Sequence, residues 1–224
     1  MRRLTLAAAL AASALATAAL ADEAVTHSFD VTTPLHGVRR IVVDIPAGEF
    51  RIVNGSGDVL ALHGTVRRDY DGYRRREQNQ RIVDDISPQV VMKGDEAVIR
   101  RRFGAHATGW SARNRSTFDI TIEVPANADL DIETRFGEVH LDGAFGNVDV
   151  DMSAGEIHMT TPRSSVRALA ASCRVGEVHT NLGDRIEERE GLFPGTARFT
   201  NPHGGRGDVH LHVTAGEVHV KLTT

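Results

Sequence analysis

The residues best suited to chemistry are glutamate–histidine pairs that recur with a fixed separation of two positions. Three such pairs are Glu138 with His140, Glu156 with His158, and Glu177 with His179. Residues two apart in an extended strand project from the same side, so each pair presents a carboxylate and an imidazole together. Imidazole with carboxylate suits Zn, Cu or Ni, and these six residues are therefore the candidate metal ligands.

Each pair belongs to a five-residue phrase: glycine, an acid, a β-branched residue, a polar residue and an apolar residue. Close copies begin at the glycines of positions 137, 155, 176 and 216, and looser copies begin at 48, 57, 146 and 207. Several consecutive copies are nine residues apart, which is the length of one strand and one turn. A fixed period of this kind indicates stacked repeats. We predict an all-β, β-solenoid-like stack of short repeated strands with one N-terminal helix.

If each nine-residue step carries the chain to the opposite face, alternate copies stack on one another. The copies at 137, 155 and 176 then share one face, and those at 146 and 164, with Asp149 and Arg167, share the other. Strands stack about 4.8 Å apart, so the three histidines could converge on a metal ion. Alternatively, the face responds to pH, because histidine as a residue type titrates near pH 6.5. The third interpretation is a duplicated polar face that only contacts solvent.

The chain divides into three predicted segments. Residues 1–21 are typical of a signal peptide, since two arginines precede an uncharged Ala/Leu run and a small-x-small cleavage pattern. Residues 22–125 form an N-terminal β-rich part with a helix at about 74–86, ended by Ser87-Pro88. Residues 126–224 form the β-repeat part, which we expect to be continuous with the preceding part.

The signal-peptide pattern predicts an exported protein, periplasmic or extracellular, and the lack of a second apolar stretch predicts no transmembrane span after signal cleavage. The net charge is −4 and becomes −6 once residues 1–21 and their two arginines are removed. This acidic balance disfavours nucleic acid as a partner. Cys173 is the only cysteine, so no internal disulfide can form.

No recognised catalytic motif is present: the sequence lacks G-x-S-x-G, a phosphate-binding G-x-x-x-x-G-K-[ST], H-E-x-x-H and Cys-x-x-Cys. We therefore predict a protein that is not an enzyme and that needs no cofactor, apart from the metal considered above. The competing function is an enzyme acting on polysaccharide, which would need two carboxylates paired in a cleft.

The glycine-acid-valine phrases behind an export signal resemble the bacterial "putative adhesin" family, a domain of unknown function. The resemblance covers most of residues 38–222 and implies a β-solenoid-like fold and attachment to a cell-envelope or surface component, either another protein or a glycan. It brings no catalytic residues, and the repeated histidine departs from the family, in which that position varies. Unpaired strands at the ends of a stack require caps, for which we expect the helix and the strand at 216–222, or else self-association.

Overall fold

A computed structural model describes residues 23–70, 75–107, 115–182 and 195–224. The predicted signal peptide and most of the polar excursion at 183–196 lie outside these ranges. The strands are β1 (Glu23–Pro34), β2 (Arg40–Asp44), β3 (Ala47–Asn54), β4 (Val59–Tyr70), β5 (Ile86–Lys93), β6 (Glu96–Phe103), β7 (Ser116–Val124), β8 (Asp129–Asp142), β9 (Val148–Pro162), β10 (Val166–Thr180), β11 (Gly195–Thr200) and β12 (Gly207–Thr223). The prediction of an all-β protein with one α-helix, α1 (Arg76–Asp84), is confirmed for the described residues.

Hydrogen bonds connect the strands in the order β1-β4-β7-β3-β8-β9-β12-β10-β11, and a branch of β2, β6 and β5 begins beside β8. Strands β3, β8, β9, β12 and β10 run parallel to one another. Because β2 and β3 both pair with β8, hydrogen bonds cross the predicted boundary at residue 125.

Each of the long strands β8, β9, β10 and β12 has an irregularity just before a glycine. We call the part of the sheet formed by the segments before this point the first arm, and the part formed by the segments after it the second arm. In β8, the amides of Arg135 and Phe136 both donate to the carbonyl oxygen of Pro46, which makes room for one extra residue. The segment before this point pairs with β2, and the segment after it pairs with β3. The copies at 146 and 207 lie in the first arm, and the copies at 48, 137, 155, 176 and 216 lie in the second. A nine-residue step thus moves the chain from one arm to the other.

The apolar residues of both arms form one core. In the second arm Phe50, Val139, Ile157 and Val218 are fully buried, and Val178 is partly buried against them. Leu130, Val150 and Leu211 provide the first arm's share of the same core. Burial of a valine or isoleucine side chain contributes about 1.5–3 kcal/mol, so the inward residue of each phrase is its main contribution to stability.

The glycine of each phrase fixes the register between strands. Gly48, Gly137, Gly155, Gly216 and Gly176 lie side by side across the second arm. A Cβ atom on Gly155 would lie 1.9 Å from the carbonyl oxygen of Gly137, and one on Gly216 would lie 1.8 Å from that of Gly155. Any larger residue would therefore collide with the backbone of the neighbouring strand.

The strand order differs from that of a chain that winds coil after coil, because β12 lies between β9 and β10. The strand at 216–222 is therefore inside the stack, and its predicted role as a cap is wrong. The repeats allow this order, because the phrases of β9, β10 and β12 share the Gly-Glu-aliphatic-His pattern. Each of these strands can therefore pair in the same register with either of the other two.

The helix agrees with the prediction in place and is shorter at both ends. It ends at Asp84, the Asp85 amide donates to the Ile82 carbonyl, and Ile86 already belongs to β5. Val83 is buried and the Gln80 side chain donates to the Thr26 carbonyl at 3.0 Å, so α1 packs on β1, β4 and β5. Within the described ranges, no helix is both long and apolar enough to cross a membrane.

Candidate functional site

The second arm brings four Glu–His pairs to the same level on its outer face. Glu138, Glu156, Glu217 and Glu177 are register partners from one strand to the next, and so are His140, His158, His219 and His179. We call these eight residues the His/Glu ladder. The glycine row before them and the buried aliphatic residue between them fix which side each pair faces.

The four imidazole rings form a continuous stack. Ring centroids are 4.9 Å apart for His140 and His158, 4.7 Å for His158 and His219, and 4.7 Å for His219 and His179. The interplanar angles are 8°, 4° and 20° in the same order. These spacings match the separation of adjacent strands, so the backbone register itself produces the stack.

Each histidine is paired with the glutamate of its own phrase. The Nε2–Oε2 distances are 3.2 Å for His140–Glu138, 2.9 Å for His158–Glu156, 2.9 Å for His219–Glu217 and 3.2 Å for His179–Glu177. An ionised carboxylate only accepts hydrogen bonds, so the imidazole donates from Nε2 and a neutral ring keeps Nδ1 as an acceptor. The ladder is accessible to solutes, since exposure of its imidazoles ranges from 21% at His140 to 48% at His179.

The ladder face is strongly acidic. Besides the four ladder glutamates, it carries Glu49 beside Glu138 and Asp142 beyond His140, and the described strands place two permanent cations there, Arg51 and Lys221. Arg51 already pairs with Asp142 at 3.3 Å. Two carboxylates at the strand spacing repel each other by about 0.9 kcal/mol in bulk water and by about 3.5 kcal/mol at an effective dielectric constant of 20. A cation bound between strands would relieve this repulsion.

Among the residues that the structure describes, potential metal ligands converge in three sets whose donor atoms lie within 4.8 Å of one another. The sets are Glu156, His158 and His219; His179, Glu217 and His219; and Glu49, Glu138 and His140. Each set combines residues from two adjacent strands. His219 is common to two sets, and Glu49 completes the third.

All six predicted ligands therefore lie on one face, but their predicted grouping is wrong. His158 and His179 are not neighbours, because β12 places His219 between them. Sequence reasoning omitted His219, Glu217 and Glu49 from the site. Their signal was present, since the phrases at 216 and 48 repeat the glycine-glutamate pattern.

The outer face of the first arm is different in character. Asp149 is the register partner of His210, whereas Arg167 pairs with Asp208, its Nε lying 2.8 Å from Oδ1. The predicted sharing of a face by Asp149 and Arg167 is thus interrupted by β12. The hydrogen bond from the Arg167 guanidinium lowers the pKa of Asp208, and the same contact raises that of Arg167.

A cavity of about 690 Å³ lies near the bend of β8. Its lining includes Arg100, Arg101 and Arg135 together with the acids Asp44 and Glu133. Because both signs of charge line the cavity, it shows no clear preference for anionic or cationic ligands. Arg100 and Arg101 of β6 therefore belong to a concave site of mixed charge.

Comparisons with known proteins give structural likeness without sequence support. The chain matches no protein-family model and no curated protein. It is similar to the crystal structure of a "putative cell adhesion protein" from Clostridium sporogenes, with a TM-score of 0.50, 12% identity and coverage of 88% of this chain and 100% of that one.

Two further solved structures match less well. One is a "putative adhesin" from Bacteroides fragilis, with a TM-score of 0.26, 10% identity and coverage of 91% of this chain and 98% of that one. The other is a "putative lipid binding protein" from Parabacteroides distasonis, with a TM-score of 0.27, 6% identity and coverage of 89% and 97%. At these identities, only the first likeness carries an argument, and it concerns the fold alone.

Proposed function

We propose that this protein is an exported, non-catalytic binding protein of the cell envelope or surface, and that the His/Glu ladder is its binding face. The observation that carries the proposal is the in-register row of glutamates and stacked histidines on an open, solvent-accessible face. A row of five glutamates that includes Glu49 favours a partner with positive charge, because such a partner relieves the repulsion between carboxylates.

The assignment to the envelope has two supports. The pattern of residues 1–21 favours export to the periplasm or the exterior. The resemblance of the repeated phrases to the "putative adhesin" family agrees with the fold shared with the Clostridium sporogenes "putative cell adhesion protein". Both suggest attachment to a surface component, either a protein or a glycan.

The competing function is hydrolysis of a polysaccharide, and the geometry of the ladder disfavours it. Glycosidases hold one acid and one second carboxylate on opposite sides of the bond that breaks, usually within a cleft. The ladder glutamates instead lie side by side on the outer face of a sheet, and side-chain exposure is 49% at Glu138 and 46% at Glu156. Equivalent neighbours of this kind provide no acid and base with different environments.

A co-sedimentation assay with bacterial envelope fragments and purified peptidoglycan tests the proposal. The double variant Glu156→Gln with Glu217→Gln removes two carboxylates from the centre of the ladder. The matched control, Asp149→Asn with Asp151→Asn, makes the same change in net charge on the first arm. We expect the unmodified chain and the control to sediment with the envelope material and the ladder variant to remain largely in the supernatant.

Two results would contradict the proposal. One is equal sedimentation of the ladder variant and the unmodified chain. The other is release of reducing ends from a panel of envelope polysaccharides, lost in the ladder variant, which would favour the enzyme.

A further inference from the structure

We infer that the His/Glu ladder binds divalent transition-metal ions, two per chain, with His219 as the shared ligand of the central site. This inference rests on the proposed function, in which the ladder is the binding face, and it names the ligand class. Nitrogen donors from imidazole together with carboxylate oxygens suit Zn²⁺, Ni²⁺ and Cu²⁺. Ca²⁺ and Mg²⁺ prefer sets made of oxygen alone, so the ladder discriminates against them.

The distances are close to those that a metal ion requires. Ligand atoms at 2.0–2.1 Å around a tetrahedral ion lie about 3.3 Å from one another. Within each pair, the Nε2 and Oε2 atoms are already 2.9–3.2 Å apart. A bound ion replaces the hydrogen bond between these two atoms, because the neutral ring then carries its proton on Nδ1 and Nε2 is free to act as the ligand. The third donor comes from the adjacent strand and lies within 4.8 Å. Partly exposed side chains can close this gap by rotation, without any change in the backbone, and water completes the coordination.

The number of ions follows from how the ligand sets overlap. The set of Glu49, Glu138 and His140 shares no residue with the other two, so it forms an independent outer site. The other two sets both use His219, so only one of them can be occupied when His219 gives one ligand atom. The central ion therefore binds either toward Glu156 and His158 or toward Glu217 and His179. The total is two ions rather than one per histidine.

Isothermal titration of the untagged, metal-free chain with ZnCl₂ and NiCl₂ at about pH 7.5 tests this count, since neutral imidazole is the ligand form. The variants are His219→Gln, His140→Gln and both together. The control is His210→Gln, which changes a histidine on the same strand as His219 but in the first arm. Circular dichroism checks that each variant is folded.

We expect two equivalents for the unmodified chain and for the His210→Gln control. We expect one equivalent for each single ladder variant, and loss of binding in the double variant. The inference is overturned if the unmodified chain binds no metal, if His219→Gln keeps two equivalents, or if the His210→Gln control loses binding as the ladder variants do.

The co-sedimentation assay separates this inference from the proposed function. Two equivalents of zinc in solution with no sedimentation on envelope material would support the metal sites and refute the envelope role. Sedimentation that needs Glu156 and Glu217, together with no heat of zinc or nickel binding, would support the binding face and refute the metal sites.

Discussion

The substitution Gly155→Ala tests whether the backbone register creates the ladder. Gly155 has φ +139°, and a Cβ atom there would lie 1.9 Å from the carbonyl oxygen of Gly137 and 2.9 Å from the sulfur of Met152. The sulfur can move, but the carbonyl belongs to the neighbouring strand. Strands β8 and β9 must therefore separate locally by about 1 Å or more for the methyl group to fit.

Two costs add up in this variant. An L-residue in that backbone region costs about 1–3 kcal/mol. Separating the strands weakens one or two backbone hydrogen bonds between β8 and β9, each worth about 0.5–1.5 kcal/mol net. We expect the free energy of unfolding to fall by about 3–5 kcal/mol.

The matched control is Gly94→Ala in the turn between β5 and β6. Gly94 also has positive φ, at +62°, but no atom lies within 4 Å of the added Cβ. Only the conformational cost applies there, about 1–2 kcal/mol. Equilibrium unfolding in urea, followed by circular dichroism, measures both variants. If the two variants lose the same free energy within about 0.5 kcal/mol, close contact between the glycine rows does not determine the register.

Three further predictions concern the charge, the core and the acid stability of the sheet. Glu156→Gln should raise the free energy of unfolding by about 1 kcal/mol in metal-free, low-salt buffer, because it relieves repulsion from the neighbouring carboxylates. About 1 M NaCl should abolish this gain, and a loss of stability at low salt would contradict the prediction. Ile157→Ala should lower the free energy of unfolding by about 2–4 kcal/mol in urea titrations, because Ile157 is fully buried. Thr160→Ala on the outer face should change it by less than about 0.5 kcal/mol, and equal effects of the two variants would refute the burial of Ile157. The hydrogen bond from Arg167 lowers the folded-state pKa of Asp208. The ionised carboxylate of Asp208 therefore stabilises the fold at pH values above the ordinary aspartate pKa of 3.8, and this stabilisation is lost as the pH falls through the lowered pKa. Asp208→Asn should therefore be less stable than the unmodified chain at neutral pH, with a gap that closes below about pH 4 in urea titrations; a gap independent of pH would exclude the ion pair.

Local pattern was enough to predict the all-β class and the side on which each residue lies. It did not predict the strand lengths, because β8, β9, β10 and β12 continue through the glycines at 137, 155, 176 and 216, where short strands separated by turns were expected. The alternation of Val139 and Ile157 with polar neighbours identified the buried face, because side chains in a strand alternate between faces. The glycine at the start of each phrase located the point where the chain passes between arms. The helix was located from its spacing of apolar residues, although Ile86 belongs to β5 instead.

The order of the strands in the sheet could not be predicted from the local sequence pattern. The phrases that contain His158, His179 and His219 have the same arrangement of glycine, glutamate and an aliphatic residue, so any of them can pair with any other. The strand that follows the excursion, β11, pairs with one edge of β10 and leaves the other edge to β12, and no local pattern distinguishes these two edges. Consequently the histidines were predicted on the correct face, and the central one, His219, was left out of the site.

Glu49 was missed for a different reason. Its phrase has Arg51 at the position that histidine occupies in the ladder, so the copy at 48 was not assigned to the predicted metal-binding set. The structure pairs Glu49 with Glu138 and Arg51 with His140, and the carboxylate row thus extends one strand further than the histidine stack. A conserved glycine-glutamate spacing within the chain was the better guide to strand pairing than the identity of the polar residue.

A crystal structure of the chain soaked with zinc, with diffraction data collected on both sides of the zinc absorption edge, tests the ladder most directly. We expect two anomalous peaks on the outer face of the second arm. One should lie among Glu49, Glu138 and His140, and the other beside His219, on the side of either His158 or His179. Absence of a peak beside His219, or zinc bound only on the first arm near His210, would contradict the account.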